Sequence, residues 1–222
     1  ILCRKIVAVQ ASMKERKTVS FIPSWYYKSG NGNNASQTNA TQKPTLQQNA
    51  TTGAYFLRFD GSNDVLFTNA IDMTAHNEVS MFLGFENRTV GQPAIICEFS
   101  ENPVSTDGGF GLYYDVDDAL VTYTRGTVIG AARVKPLTKL NASLSHFSLL
   151  QNFVSLRDQN TSKKVEANFE GDFYGNHRLY IGRRGAGLYS SDVDIYGVLV
   201  LSRLTVLNES NKTLSSIANK ME

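Results

Sequence analysis

The chain has 222 residues, 41% hydrophobic and 19% charged, with a formal charge of +2. That length can bury a substantial core, and so small a charge compels neither a nucleic-acid nor an acidic partner. No apolar run approaches the roughly 20 residues that cross a bilayer, so no membrane insertion is expected.

Residues 1–22 form a mixed lead-in with a basic concentration at Lys14, Arg16 and Lys17. This segment is expected to be extended or packed on a neighbour, with the folded domain over 23–222. From Trp25 to Asn34 the chain is rich in Gly and Asn, which accept positive φ at little cost and favour a tightly turned loop. Residues 35–52 are polar, with Pro44 as punctuation, and taken alone read as a linker. Residues 55–59 then form a strand that ends in Asp60-Gly61-Ser62-Asn63-Asp64, a strong turn signal, and 65–67 resume extended structure. Val79, Met81, Leu83 and Phe85 alternate with Ser80, Phe82 and Gly84, the period of two that marks a strand. The continuous run 94–99 suits a strand buried on both faces. Residues 109–115 alternate Phe110, Leu112 and Tyr114 with Gly109, Gly111 and Tyr113.

Further strands are expected at 120–124, 145–150, 153–157, 165–169, 179–181 and 195–201. Strands so spaced by turns point to a sandwich or barrel. The end reads as a helix, capped by Ser210 or Asn208, with Leu214, Ile217, Ala218 and Met221 at helical spacing.

Cys97 lies in an apolar run and Cys3 near the N-terminus; both are expected as free thiols with Cys97 buried, a disulfide between them in an oxidising compartment being the alternative. With 18 Asn and 37 Ser plus Thr in the chain, chance gives about three Asn-x-Ser/Thr triplets where eight occur. Asn87, Asn141 and Asn160 are candidate glycosylation sites if the chain is secreted; turn-rich composition also generates such triplets.

Catalytic patterns are sparse. Paired carboxylates for glycoside hydrolysis would have to come from Asp115 and Asp117, and no Glu-x-Asp-x-x-Glu pattern occurs. His76, His146 and His177 have no zinc spacing, and no Gly-x-Ser-x-Gly elbow is present. Residues 182–187 have the glycine density of a phosphate loop but lack its Lys-Ser/Thr ending, so a turn between strands is expected. No catalytic residue is assigned. Sugar binding uses aromatic faces against C–H-rich rings, with amides and charged groups for the hydroxyls. Tyr113, Tyr114, Tyr123, Tyr174, Asn176, Arg183 and Tyr189 are the candidates, with His177 and Arg184 beside them. Strand tyrosines whose hydroxyls merely reach the surface would look the same.

Trp25-Tyr26-Tyr27-Lys28-Ser29-Gly30-Asn31-Gly32-Asn33-Asn34-Ala35-Ser36-Gln37 resembles the WYDxSGNGNNATQ opening of concanavalin A-like, laminin-G-like jelly-roll domains, common in phage tail and other virion proteins. The resemblance continues through Lys43-Pro44-Thr45-Leu46, residues 57–64, the strand at Val79, Tyr180-Ile181-Gly182, the strand 195–201 and the closing helix. Lys28 stands where the family carries an acid, and the final helix lacks its customary acidic start. The resemblance implies an all-β jelly-roll sandwich with a short C-terminal helix, ordered structure over 35–52 and Trp25 as a core anchor. It also implies a sheet-rim Ca2+ site, for which Asp115, Asp117 and Asp118 are the candidates; Asp60, Asn63 and Asp64, or Asp192 and Asp194, offer similar oxygens. The expected role is a virion structural or adhesion domain, on a virion surface or outside a cell. It would assemble as a homo- or hetero-oligomer with other structural subunits and bind a surface glycan. A secreted, glycosylated lectin-like domain is the alternative, and a glycoside hydrolase the more remote one.

Overall fold

The computed structural model describes residues 5–10, 24–25, 32–100, 102, 105–135, 139–158 and 161–221. Cys3, most of the opening motif, the Trp25 side chain and Asn160 lie outside the described residues. The expectations placed on them, core anchor and glycosylation included, lie there too.

In chain order the elements begin with β1 (Lys5–Gln10), β2 (Ser24–Trp25) and β3 (Ala35–Ser36). A single 3-10 turn (Ala40–Gln42) precedes β4 (Thr45–Gln48), β5 (Tyr55–Asp60), β6 (Leu66–Phe67) and β7 (Ile71–Asp72). Then come the ten-residue β8 (Glu78–Asn87) and β9 (Ala94–Phe99). Two antiparallel meanders follow, β10 (Gly109–Tyr114), β11 (Leu120–Arg125) and β12 (Ile129–Val134), then β13 (Leu140–Ser148), β14 (Phe153–Arg157) and β15 (Ser162–Glu166). β16 (Asn176–His177), β17 (Leu179–Ile181), β18 (Asp192–Leu201) and the helix α1 (Leu207–Met221) complete the set.

Two large antiparallel sheets form a jelly-roll sandwich. The first runs β15-β14-β13-β8-β18-β5-β4, with β1 also paired to β18, and the second runs β12-β11-β10-β9-β17-β6-β3-β2. In the middle of each sheet the order jumps along the chain: β8 pairs with β13 and β18, and β9 pairs with the distant β17 as well as with its neighbour β10. Residues 35–52, linker-like by composition, supply β3 to the second sheet and β4 to the first, as the resemblance implies.

The period of two decides which side chains meet. Val79, Met81, Leu83 and Phe85 of β8 point into the space between the sheets, where they join Phe99, Phe110, Phe147, Leu179 and Val198 in one buried cluster. The alternate residues of β8 face the other way, onto α1. Phe82 packs there with Phe56, Leu144, Tyr196, Leu201, Leu214 and Met221, so both faces of this strand are buried. Gly84 is where the helix comes closest: a Cβ there would stand 2.6 Å from Ile217 Cγ2 and 2.8 Å from Met221 Sδ. The run 94–99 is buried throughout, as expected, and Cys97 is a free, buried thiol that burial pushes far toward its protonated form.

Several boundaries moved. β13 begins at Leu140 rather than 145, because its inward side chains include Asn141, Ser143 and Ser145, which give no apolar alternation yet are buried. β12, absent from the expectation, has the sequence Ile-Gly-Ala-Ala-Arg-Val, whose small residues hide the pattern. β15 runs from Ser162 instead of 165. The helix starts before either expected cap: it begins at Leu207, and Ser210 sits buried in its first turn with its hydroxyl against that of Thr205 at 2.8 Å. It also has an acidic start after all, Glu209, paired with Arg203. No described helix is long and apolar enough to cross a membrane.

Candidate functional site: the outer face and rim of the second sheet

Cross-strand partners in an antiparallel sheet share a face, so the registers define a continuous row across the second sheet. It runs Ser36, Phe67, Tyr180, Glu98, Gly111, Tyr123 and Ala131. Their chain neighbours Leu66, Leu179, Ile181, Cys97, Phe99, Phe110 and Leu112 point into the core, which places the row on the outer face. Rings adjoin along it: Phe67 and Tyr180 have centroids 6.0 Å apart, and Tyr123 lies 6.2 Å from Tyr113. The Arg178 guanidinium sits 5.2 Å above Phe67. Gly111 leaves room for the neighbouring ring, since a Cβ there would lie 2.7 Å from Tyr123 Cε1 and 3.0 Å from the Cys97 carbonyl.

Glu98 is the charged member of this row and is 0% exposed. Arg184, from the loop between β17 and β18, covers it, donating from Nε to Oε2 at 3.2 Å, while Ser100 Oγ approaches Oε1 at 3.4 Å. Burial pushes the Glu98 carboxyl up, and the Arg184 charge pulls it back down. A buried carboxylate stripped of such a partner is strongly destabilising, which ties the position of Arg184 to the fold. The guanidinium also lies 4.8 Å over the ring of Tyr189, itself 44% exposed.

The loop carrying these two residues is pinned to the sheet. Ile95 N donates to the Tyr189 carbonyl at 3.2 Å, Ser190 Oγ to the Ser62 carbonyl at 2.7 Å, and Ser191 Oγ to the Ile95 carbonyl. Arg183 clamps it from within, donating to the Gly187 carbonyl at 2.5 Å and the Asn63 carbonyl at 3.5 Å. Tyr189 has a φ of 57°, the left-handed region that a tyrosine seldom occupies. Beside it a rim cavity of about 500 Å³ is lined by Asp60, Asn87, Thr89, Gln92, Ser190 and Asp192, among others. Asp192 anchors its edge through Arg88 at 3.0 Å and Thr89 at 2.6 Å. An exposed aromatic face, a stacked cation and a polar cavity thus share one corner, on backbone fixed by hydrogen bonds.

The candidate sugar-binding residues separate into three groups. Tyr113 and Tyr189 belong to the outer face or its rim. Tyr123 lies on that face but is buried, as is Tyr114, whose hydroxyl accepts from Asn141 Nδ2 at 3.1 Å. Tyr174 is a core residue, edge-on to Phe110 at 5.4 Å with its hydroxyl 3.2 Å from that of Thr124. The exposure needed for a sugar platform is therefore missing at Tyr114, Tyr123 and Tyr174, and burial pushes all three phenols up. Arg183 is a loop clamp, and Asn176 sits in the small β16–β7 sheet opposite Asp72. Residues 182–187 form the expected turn between strands. Glu98 was not anticipated; its signal was a charge inside an apolar run.

The proposed Ca2+ residues do not form a cation site. Arg133 donates to Asp115 at 2.7 Å and pairs with Asp117, and its hydrogen bonds hold both carboxyls below their usual range. Asp118 turns away at φ 62° to accept from Gly91 N at 2.7 Å. Among the described residues no group of three or more His, Cys, Asp or Glu side chains is placed to hold a metal ion. Asn87 and Asn141 are corrected too. Their side chains are buried, and Asn141 Nδ2, the atom a glycan would need, is bonded to Tyr114.

No family model matches the sequence, and the comparison with curated proteins returns no match. The fold has solved counterparts. It is similar to the ligand binding domain of botulinum neurotoxin serotype D in complex with N-acetylneuraminic acid, with a TM-score of 0.68, 11% identity, and 96% of this chain over 51% of that one. It is similar to the binding domain of botulinum neurotoxin DC in complex with rat synaptotagmin II, at 0.65, 10%, and 96% over 52%. A third is Trypanosoma rangeli sialidase in complex with sialic acid, at 0.66, 13%, and 96% over 33%. The chain spans about half the length of those toxin domains, and identity this low carries the β-sandwich fold alone.

Proposed function

We propose that this chain is a non-enzymatic carbohydrate-binding and adhesion module, displayed on a virion or outside a cell, which takes a glycan at the corner formed by Tyr189, Arg184 and the rim cavity. The observation that carries this reading is the pinned, half-exposed Tyr189 ring stacked on Arg184 beside a cavity lined with amides, hydroxyls and the carboxylates of Asp60 and Asp192. Aromatic faces bind the C–H side of a sugar while neighbouring polar groups take its hydroxyls. A fixed loop lowers the ordering cost of binding. Support by analogy comes from the toxin ligand binding domain and the sialidase, both with sialic acid bound. The hydrolase reading loses support at Asp115 and Asp117: with Arg133 holding both ionised, neither is the protonated acid that glycoside hydrolysis needs.

The test is a glycan array spanning sialylated, sulfated and neutral sugars, followed by titration of the best ligand into wild type and Tyr189→Ala. Tyr189 is chosen because removing Arg184 would strand buried Glu98. The variant should bind at least about tenfold more weakly, the loss of one aromatic contact, with an unchanged melting temperature. Absence of glycan binding, or full affinity in the variant, would overturn the proposal.

A further inference from the structure

A second concavity lies on the opposite side of the molecule, on the outer face of the first sheet beside the start of α1. Its volume is about 360 Å³, within the range of small-ligand pockets. Registers again fix the floor: His146, Ser155 and Lys164 form one cross-strand row, and Leu144, Arg157 and Ser162 the next. Thr205, Leu207 and Ser210, at the beginning of the helix, make the wall.

Two cationic side chains, Arg157 and Lys164, lie on this outer face and line the groove, and none of its lining residues is a carboxylate. Lys163 pairs with the core residue Leu156 and so projects from the opposite face of its strand. Arg157 is braced by Asn211 Oδ1 at 2.7 Å, which uses one of its five donors. Lys164 lies 4.5 Å over the Phe153 ring and pairs with Glu166 at 2.6 Å, both partners more than half exposed. An exposed pair of that kind is worth little and exchanges readily for another anion. His146, at the floor, is bonded to Thr205 Oγ1 at 2.9 Å and adds no fixed charge at neutral pH. The Leu207 side chain, 71% exposed, gives the wall an apolar surface.

We propose that this groove binds a sulfated oligosaccharide, its sulfate groups held by Arg157 and Lys164 and a sugar face laid on Leu207. Arginine and lysine pair with sulfate-like oxyanions through charge-assisted hydrogen bonds. The hydroxyls of Ser155 and Ser162 suit sugar hydroxyls, and the acidic-peptide alternative is an outcome of the titration. The site is independent of Tyr189 and lies across the sandwich from it.

The experiment is calorimetric and NMR titration of the full chain with a heparin-derived tetrasaccharide, with neutral maltotetraose and a hexaglutamate peptide as comparison probes. The heparin fragment should bind and shift the His146 ring protons, assigned with a His146→Gln variant. The double variant Arg157→Gln/Lys164→Gln should lose at least about tenfold in affinity, while Lys43→Gln/Lys220→Gln and Tyr189→Ala should lose none. No binding, an equal loss in the Lys43/Lys220 variant, or tighter binding of hexaglutamate would each overturn the proposal. Retained heparin binding in Tyr189→Ala separates this groove from the rim site.

Discussion

Lowering the pH should destabilise the protein through His146 specifically. The imidazole is half-buried beneath the groove with Thr205 as its partner, and burial pushes it down to about 4. In the unfolded chain it titrates near 6.5. Below that pH the unfolded state binds a proton that the folded state refuses, so stability falls as pH falls from about 6.5 to about 4 and is flat on either side. The two pKa values give a loss of about 2 kcal/mol at pH 5 and about 3 kcal/mol at pH 4 relative to pH 7. Gln at 146 places an amide near the position of Nε2 and can still bond Thr205, but it does not titrate. Urea unfolding of wild type and His146→Gln at pH 7, 5 and 4 isolates the contribution, because every other group titrates equally in both. The gap between the two proteins should shift in favour of the variant by those amounts. A gap that stays constant across the range, or an NMR titration of His146 centred near 6.5, would refute the reasoning.

Asp64 should act with the opposite sign. Burial, then the neighbouring Asp60 charge, push its carboxyl up to about 6, so the folded state holds a proton that the unfolded state has lost, and stability drops as pH rises from about 4 to 6. Asp64→Asn keeps an oxygen for the Asp60 amide, which donates to Oδ2 at 3.0 Å, and its melting temperature should gain on wild type at pH 7 but not at pH 4. At the helix contact, Gly84→Ala should cost about 1–3 kcal/mol by overpacking against Ile217 and Met221. Adding Ile217→Ala should cost less in that background than in wild type, a coupling that a double-mutant cycle by urea unfolding would read.

The strands that were legible in the sequence are those whose alternation survives on at least one face. β8 and β10 carry an apolar residue at every second position and mark themselves, as do the Asp60–Asp64 turn and the spacing of Leu214, Ile217 and Met221 in α1. β18 marks itself by its apolar run despite a bulge that switches parity after Ile195. β12 and the first half of β13 did not, for a common reason: Ala132, Ser143 and Ser145 are small or polar, so their burial leaves no hydrophobic signal. The linker-like stretch 35–52 became structure through pairing with distant strands, and composition cannot encode a pairing.

The candidate site shows the same division more sharply. Local sequence determined a β-sandwich rich in turns, a helix at its end and a supply of tyrosines, arginines and amides suited to sugars. It could not say which tyrosines face water, because a period of two defines two faces without saying which is covered. Tyr113 and Tyr114 are adjacent in the chain, yet one lies on the outer sheet face and the other in the core. Glu98 and Arg184 are 86 positions apart, and Tyr189 reaches its place only because its loop is bonded to Ile95 and Ser62. Pairing of β17 with β9 brings these groups together. That pairing depends on burying the whole sheet at once, a cooperative quantity that no short stretch of residues carries by itself.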